Sequence, residues 1–151
     1  MANYGAEISK ATTSTTTGIG SIEAPAASQR RVKLYDLIFG SGATPADNVF
    51  VVEINRSTTV ATGTLVTPNA LDPADAAAVT LVKSNLTVQG TNTAGSIPLS
   101  FALNQRATFR WVAAPGSELV IPATALNGLH INTPTAANTP QANCNVQFQE
   151  Q

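Results

Sequence analysis

The stretch Asn143-Cys144-Asn145-Val146-Gln147-Phe148-Gln149-Glu150-Gln151 alternates strictly between polar and apolar side chains for most of its length. A period of two puts Cys144, Val146 and Phe148 on one side of a strand and Asn145, Gln147 and Gln149 on the other. One face is dry and the other wet, so such a strand is expected to be locked into a finished sheet over a core. Glu150 breaks the pattern, and Gln151 is expected at the rim. The wet face carries amides rather than charges, which suits contact with another protein better than contact with water alone.

The same period recurs along the chain. Val32 and Leu34 alternate with Lys33 and Tyr35, with Asp36 on the side of Leu34, and Leu37-Ile38-Phe39 follow. Over 48–56, Val49, Val51 and Glu53 face one way and Phe50, Val52 and Ile54 the other. Further strands are predicted over 60–67, 86–88, 97–103, 106–113, 117–121 and 129–132. Turn signals separate them, among them Gly40-Ser41-Gly42, Pro115-Gly116 and Asn127-Gly128. In the 106–113 strand, Phe109 and Trp111 share the inward face and Arg106 and Arg110 the outward one. In the 129–132 strand, Leu129 and Ile131 point in, and His130 and Asn132 out. A linker rich in Thr, Pro, Ala and Asn leads to the last strand.

Two segments depart from this style. Asp72 is a good N-cap, Pro73 fits the first helical position, and Asp75 favours the positive end of a helix, which predicts one short helix over about 73–83. A calcium loop is the competing reading of Asp72 and Asp75, but it lacks the spaced oxygen ligands and bidentate Glu. Residues 1–29 include the low-complexity run Ser9–Gly18, which cannot offset its own ordering. They read as an extended amino-terminal arm that orders against a neighbouring subunit, with Ile19 and Ile22 as its contacts. The expected fold is therefore all-β: an antiparallel jelly roll or β-sandwich of about eight strands over 30–151, with one short helix and the arm over 1–29.

Composition narrows the function. Charged residues are 11% of the 151 and the net charge is −1, against a typical charged fraction of about 25%. Interface cores share this depletion of charge. Arg30-Arg31-Val32-Lys33 is the only basic cluster, too little for a nucleic-acid field. No apolar run is long enough for a membrane helix. Met1–Glu7 shows no charged-then-apolar leader, so synthesis in a cytoplasm is expected.

Catalytic patterns fail one by one. A single His and a single Cys supply neither a disulfide nor an N/S zinc site, and no cofactor motif is present. His130 lacks a Gly-x-Ser-x-Gly partner and reads as a surface or interface side chain. Glu53 and Glu118 could face one another, but a glycosidase cleft needs more exposed aromatics than one tryptophan provides. Arg106 and Arg110 either pair with acids of a neighbouring subunit or are solvated.

Asn55-Arg56-Ser57-Thr58-Thr59, Pro73-Ala74-Asp75-Ala76-Ala77-Ala78, Gln105–Gly116 and Glu118–Leu129 resemble segments of tailed-bacteriophage head decoration, or capsid cement, proteins. The resemblance covers about residues 48–135. It implies a jelly roll, often trimeric, seated on the outer surface of the phage major capsid protein lattice and made in the host bacterial cytoplasm. No catalytic, cofactor or metal residue is implied. The contact residues expected from the strand pattern are Ile19, Ile22, Arg106, Arg110, His130, Asn145, Gln147 and Gln149. The alternative is a carbohydrate-binding sandwich on a virion or adhesion protein, which would need exposed aromatics or a calcium site.

Overall fold

The carboxyl-terminal alternation becomes a strand whose two neighbours come from distant parts of the chain. The computed structural model describes residues 1–134 and 140–151. Its strands, numbered in chain order, form two antiparallel sheets. In the first, β6 (Asn69–Ala70), β1 (Ala2–Lys10), β12 (Ala142–Glu150), β3 (Val32–Ser41) and β10 (Leu119–Ile121) lie side by side, and β9 (Phe109–Val112) also pairs with β3. In the second the order is β5 (Thr62–Val66), β7 (Leu81–Val88), β2 (Gly20–Glu23), β11 (Gly128–Asn132), β4 (Val49–Ser57) and β8 (Leu99–Asn104). The linker expected before the last strand falls largely at 135–139, outside the described residues.

The pairing is nested. β1 pairs with β12, β2 with β11, and β3 with β10, alternating between the first and second sheets. β4 pairs with β8 in the second sheet. One core lies between the sheets, built from Tyr4, Ile8, Leu34, Leu37, Phe39, Val146 and Phe148 on one side and Ile22, Phe50, Val52, Ile54, Val82, Leu129 and Ile131 on the other. Phe39 bridges them, with its ring centroid 5.6 Å from Phe50 and 5.8 Å from Phe101. Phe101 in turn stacks on Phe109 at 3.9 Å. Offset and edge-on aromatic contacts of this kind add to the gain from burial itself.

The dry side expected of β12 is buried, Cys144 included, and of the two faces of β4 it is that of Phe50, Val52 and Ile54 that enters the core. Burial in an apolar setting pushes the Cys144 thiol pKa far up, so the group stays protonated and inert.

Residues 1–29 are not a separate arm. β1 pairs with β12 over nine residues, from Ala2↔Glu150 to Lys10↔Ala142, and β2 sits in the middle of the second sheet. Ile19 and Ile22 are fully buried in this chain's own core. The low-complexity run between the strands is anchored by Lys10, whose Nζ donates to Thr17 Oγ1 (2.6 Å), Thr17 O (3.2 Å), Gly18 O (3.1 Å) and Leu86 O (2.7 Å). Those four neutral acceptors solvate a buried ammonium, and burial lowers its pKa. Ser84 adds a tie between the sheets: its Oγ accepts from Ser9 N at 2.8 Å and donates to Ser9 O at 2.7 Å.

The short helix predicted over 73–83 is also absent. Asp72 does act as a cap, accepting from Ala74 N at 2.9 Å, and Asp75 N closes a single turn on Asp72 O at 3.0 Å. The next free donors do not propagate a helix. Val79 N and Thr80 N donate instead to Glu150 Oε1, at 2.9 and 2.7 Å, and Thr80 Oγ1 joins them at 2.5 Å. From Leu81 the chain is strand, with Val82, Ser84 and Leu86 buried in alternation. Glu150, which breaks the sequence pattern, thus lies on the buried side of β12 and supplies the acceptor that ends the turn.

Deleting residues 2–10 removes a strand paired along its whole length. The truncated protein should lose cooperative thermal unfolding, followed by circular dichroism; an unchanged, sharp transition would show that β1 is dispensable.

Candidate functional site

The outer face of the first sheet follows directly from the strand period. β12 presents Asn143, Asn145, Gln147 and Gln149, and its register sets these beside Ser9, Glu7, Gly5 and Asn3 of β1. On the other side Asn143, Asn145 and Gln147 meet Gly40, Ile38 and Asp36 of β3. Between Gln147 and Phe148 the register slips, so that Tyr35 has no opposite residue and Gln149 meets Lys33. β9 continues the face with Arg110 beside Ile38.

Amides dominate the surface. Gln149 Nε2 donates to Asn3 Oδ1 at 3.2 Å, and Asn145 is exposed. Glycines at 5 and 40 keep the middle low. A shallow groove of about 260 Å³ crosses it, lined by Glu7, Ile38, Gly40, Asn143, Cys144 and Asn145. Ile38 gives this groove an apolar element. Charge is balanced within the face: Arg110 Nη2 and Nε reach Asp36 Oδ2 and Oδ1 at 2.6 and 3.1 Å, a two-pronged contact. Hydrogen bonding to Asp36 raises the Arg110 pKa. Arg110 remains largely exposed while Asp36 is buried. Of the two readings of Arg110, neither holds alone: its acid is in its own chain, and its side chain still faces solvent.

Four of the eight expected contact residues, Arg110, Asn145, Gln147 and Gln149, therefore share one face. The other four do not. Ile19 and Ile22 are core. Arg106 lies in the turn before β9 rather than on it, with its N–H on Asn104 Oδ1 at 2.9 Å and its side chain exposed. His130 does point away from the core, as its strand position requires, but it is fully buried rather than at the surface.

The cover over His130 is a polar layer on the outside of the second sheet. His130 Nδ1 lies 2.8 Å from both Gln89 Nε2 and Asn92 Oδ1, and Nε2 faces Glu23 Oε1 at 3.4 Å. Glu23 accepts from Lys83 Nζ at 2.7 Å and from Ala61 N at 2.7 Å, and Lys83 also donates to Ala61 O at 2.6 Å. The segments around 57–61 and 89–92 are thereby fastened over the sheet. Two glycines permit it. A Cβ at Gly90 would lie 2.6 Å from His130 Cε1, and one at Gly128 would lie 2.9 Å from Glu23 Cγ and 3.1 Å from Ser57 Oγ. Burial pushes the Glu23 pKa up, but its hydrogen bonds from Lys83 and Ala61, with His130 and Ser21 close by, outweigh this and leave it below the ordinary value.

Glu53 and Glu118 are both half-buried on or beside strands, in different sheets. Among the described residues no three His, Cys, Asp or Glu side chains are grouped to hold a metal ion, and no helix is long and apolar enough to cross a membrane. No protein-family model, curated protein or solved structure matches the chain.

The buried cluster yields a prediction with a defined sign. A carboxylate whose pKa is depressed by folding stabilises the native state above its unfolded value, roughly 4.3, and loses that contribution as pH falls through the folded value. Urea unfolding of the wild type should thus weaken below about pH 4.3, with a smaller acid-side loss in Glu23→Gln. Lys83→Met leaves the buried carboxylate without its cation and should cost about 3 kcal/mol at pH 7. Equal pH profiles for wild type and Glu23→Gln would contradict the assignment.

Proposed function

We propose that this chain is a virion structural protein: a capsid decoration, or cement, protein that binds the outer surface of a phage major capsid protein lattice as a homotrimer. The observation that carries this reading is the outer face of the first sheet, a broad, amide-rich, charge-balanced surface with a shallow groove across β1, β12 and β3. Interface cores are depleted in charge in the same way.

The strand order supports the finer fold assignment, a jelly roll. The first sheet contains the run β1-β12-β3-β10 and the second the run β2-β11-β4-β8. Nested pairs that alternate between sheets are what a rolled-up pair of long antiparallel ribbons produces, and eight strands so arranged make two Greek keys. On this reading β5, β6, β7 and β9 are additions to an eight-stranded roll. Jelly rolls recur in viral capsid and lectin domains, so the fold permits the role without requiring it.

A cement protein works by mass action. It binds the assembled lattice and not the loose subunit, so binding shifts the equilibrium toward the lattice. A trimer that presents three copies of a weak face gains from multivalency when its spacing matches the lattice. The chain acts as a binding and structural element, not a catalyst, and its place is the outside of the virion.

Two measurements test this. Light scattering should give a particle of three chains, each of 15.6 kDa; a stable monomer would count against the trimer. The double variant Asn145→Glu, Gln147→Glu places like charges on the exposed side of β12. It should keep its melting temperature within a few degrees and yet lose binding to undecorated phage heads in a co-sedimentation assay. Retained binding would remove this face from the contact.

A further inference from the structure

On the opposite side of the molecule, beside the covered polar layer, lies a recess of about 150 Å³. Glu53, Asn55 and Asn132 form one wall and Gln89 and Asn92 another, and the Ser14–Thr17 segment and Pro134 also line it. Its walls come from four separate parts of the chain, held by named bonds. β11 and β4 set Asn132 directly opposite Glu53. Asn132 Nδ2 donates to Asn55 Oδ1 at 2.6 Å, and Gly18 N donates to Gln89 Oε1 at 2.7 Å.

These bonds leave a definite set of groups unused. The Glu53 carboxylate makes no hydrogen bond or ion pair with any described residue, although it is half-buried. Asn55 Nδ2 and Asn132 Oδ1 likewise have no described partner. Among the hydroxyls at 15–17, Thr16 pairs with Ser14 Oγ and Thr17 Oγ1 accepts from Lys10 Nζ, which leaves the Thr15 hydroxyl to donate and accept. Half-buried at the recess, the Glu53 carboxylate is free to accept donors from a ligand.

We propose that this recess binds a neutral polyhydroxyl ligand, a saccharide unit. The mixture of donors and acceptors decides between ligand classes. A metal ion needs acceptors only, and a calcium site normally collects several carboxylates; here a single carboxylate stands among amide N–H groups and hydroxyls. A sugar hydroxyl donates and accepts at once, so Glu53 takes two donors from neighbouring hydroxyls while Asn55 Nδ2 donates to their oxygens. Pro134 gives the ring an apolar wall. The site differs from the aromatic platform that a carbohydrate-binding sandwich was expected to need, and it is independent of the docking role of the first sheet.

The sole histidine provides the reporter. Gln89 and Asn92 line the recess and also touch His130 Nδ1, so a ligand that moves either amide shifts the His130 ring resonances. The full-length ¹⁵N-labelled protein is titrated with glucose, galactose, mannose and N-acetylglucosamine to about 50 mM, enough to detect a Kd weaker than about 1 mM, and separately with calcium chloride. Trp111, on the first sheet, is the internal control. At least one sugar should produce saturable shifts in the His130 ring and in the side-chain amides of Asn55, Gln89, Asn92 and Asn132, with Trp111 unmoved. Glu53→Ala should weaken that binding by about tenfold or more, with the melting temperature of the variant recorded alongside. Shifts with calcium and none with any sugar would overturn the proposal in favour of a cation site. No shift with any of the probes would overturn it outright.

Discussion

The nine-residue antiparallel pairing of β1 with β12 is the constraint on which the rest of the structure depends. It sets Tyr4 opposite Phe148, Ala6 opposite Val146 and Ile8 opposite Cys144, all buried, and their rings and methyls make up much of one wall of the core. The same register fixes the outer face, because a one-residue slip would exchange the two sets of side chains. Asn3, Glu7, Asn145 and Gln149 are neighbours on the surface only because Tyr4, Ile8, Val146 and Phe148 are neighbours beneath it. Pairing of residues this far apart in sequence carries a loop-closure cost that local contacts do not, so the first and last strands must be stabilised by the whole sandwich.

The two sheets treat their outer faces differently. The first leaves a broad amide surface open. The second is roofed by the segments around 57–61 and 89–92, and the roof is fastened through Glu23, Lys83 and His130. Buried ionic groups of this kind add little net stability over an apolar replacement. What they do here is positional. They hold Gln89 and Asn92 in place, and those two amides form the inner wall of the recess next to Glu53.

Much of the fold was legible because burial on one face leaves a period of two. The period alone separates Phe50, Val52 and Ile54 from Val49, Val51 and Glu53, and Cys144, Val146 and Phe148 from the amides between them. The errors share one cause: a partner far away in sequence. Residues 2–10 looked like an arm because their partner strand lies at the other end of the chain. His130 was placed on the correct side of β11, but no local pattern shows that Gln89 and Asn92 cover it. Asp72 was a true cap, yet the helix failed because Glu150, more than seventy residues on, takes the Val79 and Thr80 donors. Asn145, Gln147 and Gln149 were legible as a shared face, whereas the groove with Ile38 and Glu7 needed the register of three strands. The recess could have been suspected from Glu53 and Asn55 alternating with core residues, but its other walls had no sequence signal.

Native-state hydrogen exchange tests the closing pair most directly. Amides of β1 that bond to β12 should exchange only through global unfolding, with the same free energy and denaturant dependence as the amides of β3. If instead residues 2–10 exchange orders of magnitude faster than β3, through local opening at low denaturant, the first strand is a loosely held arm and the surface built upon it loses its basis.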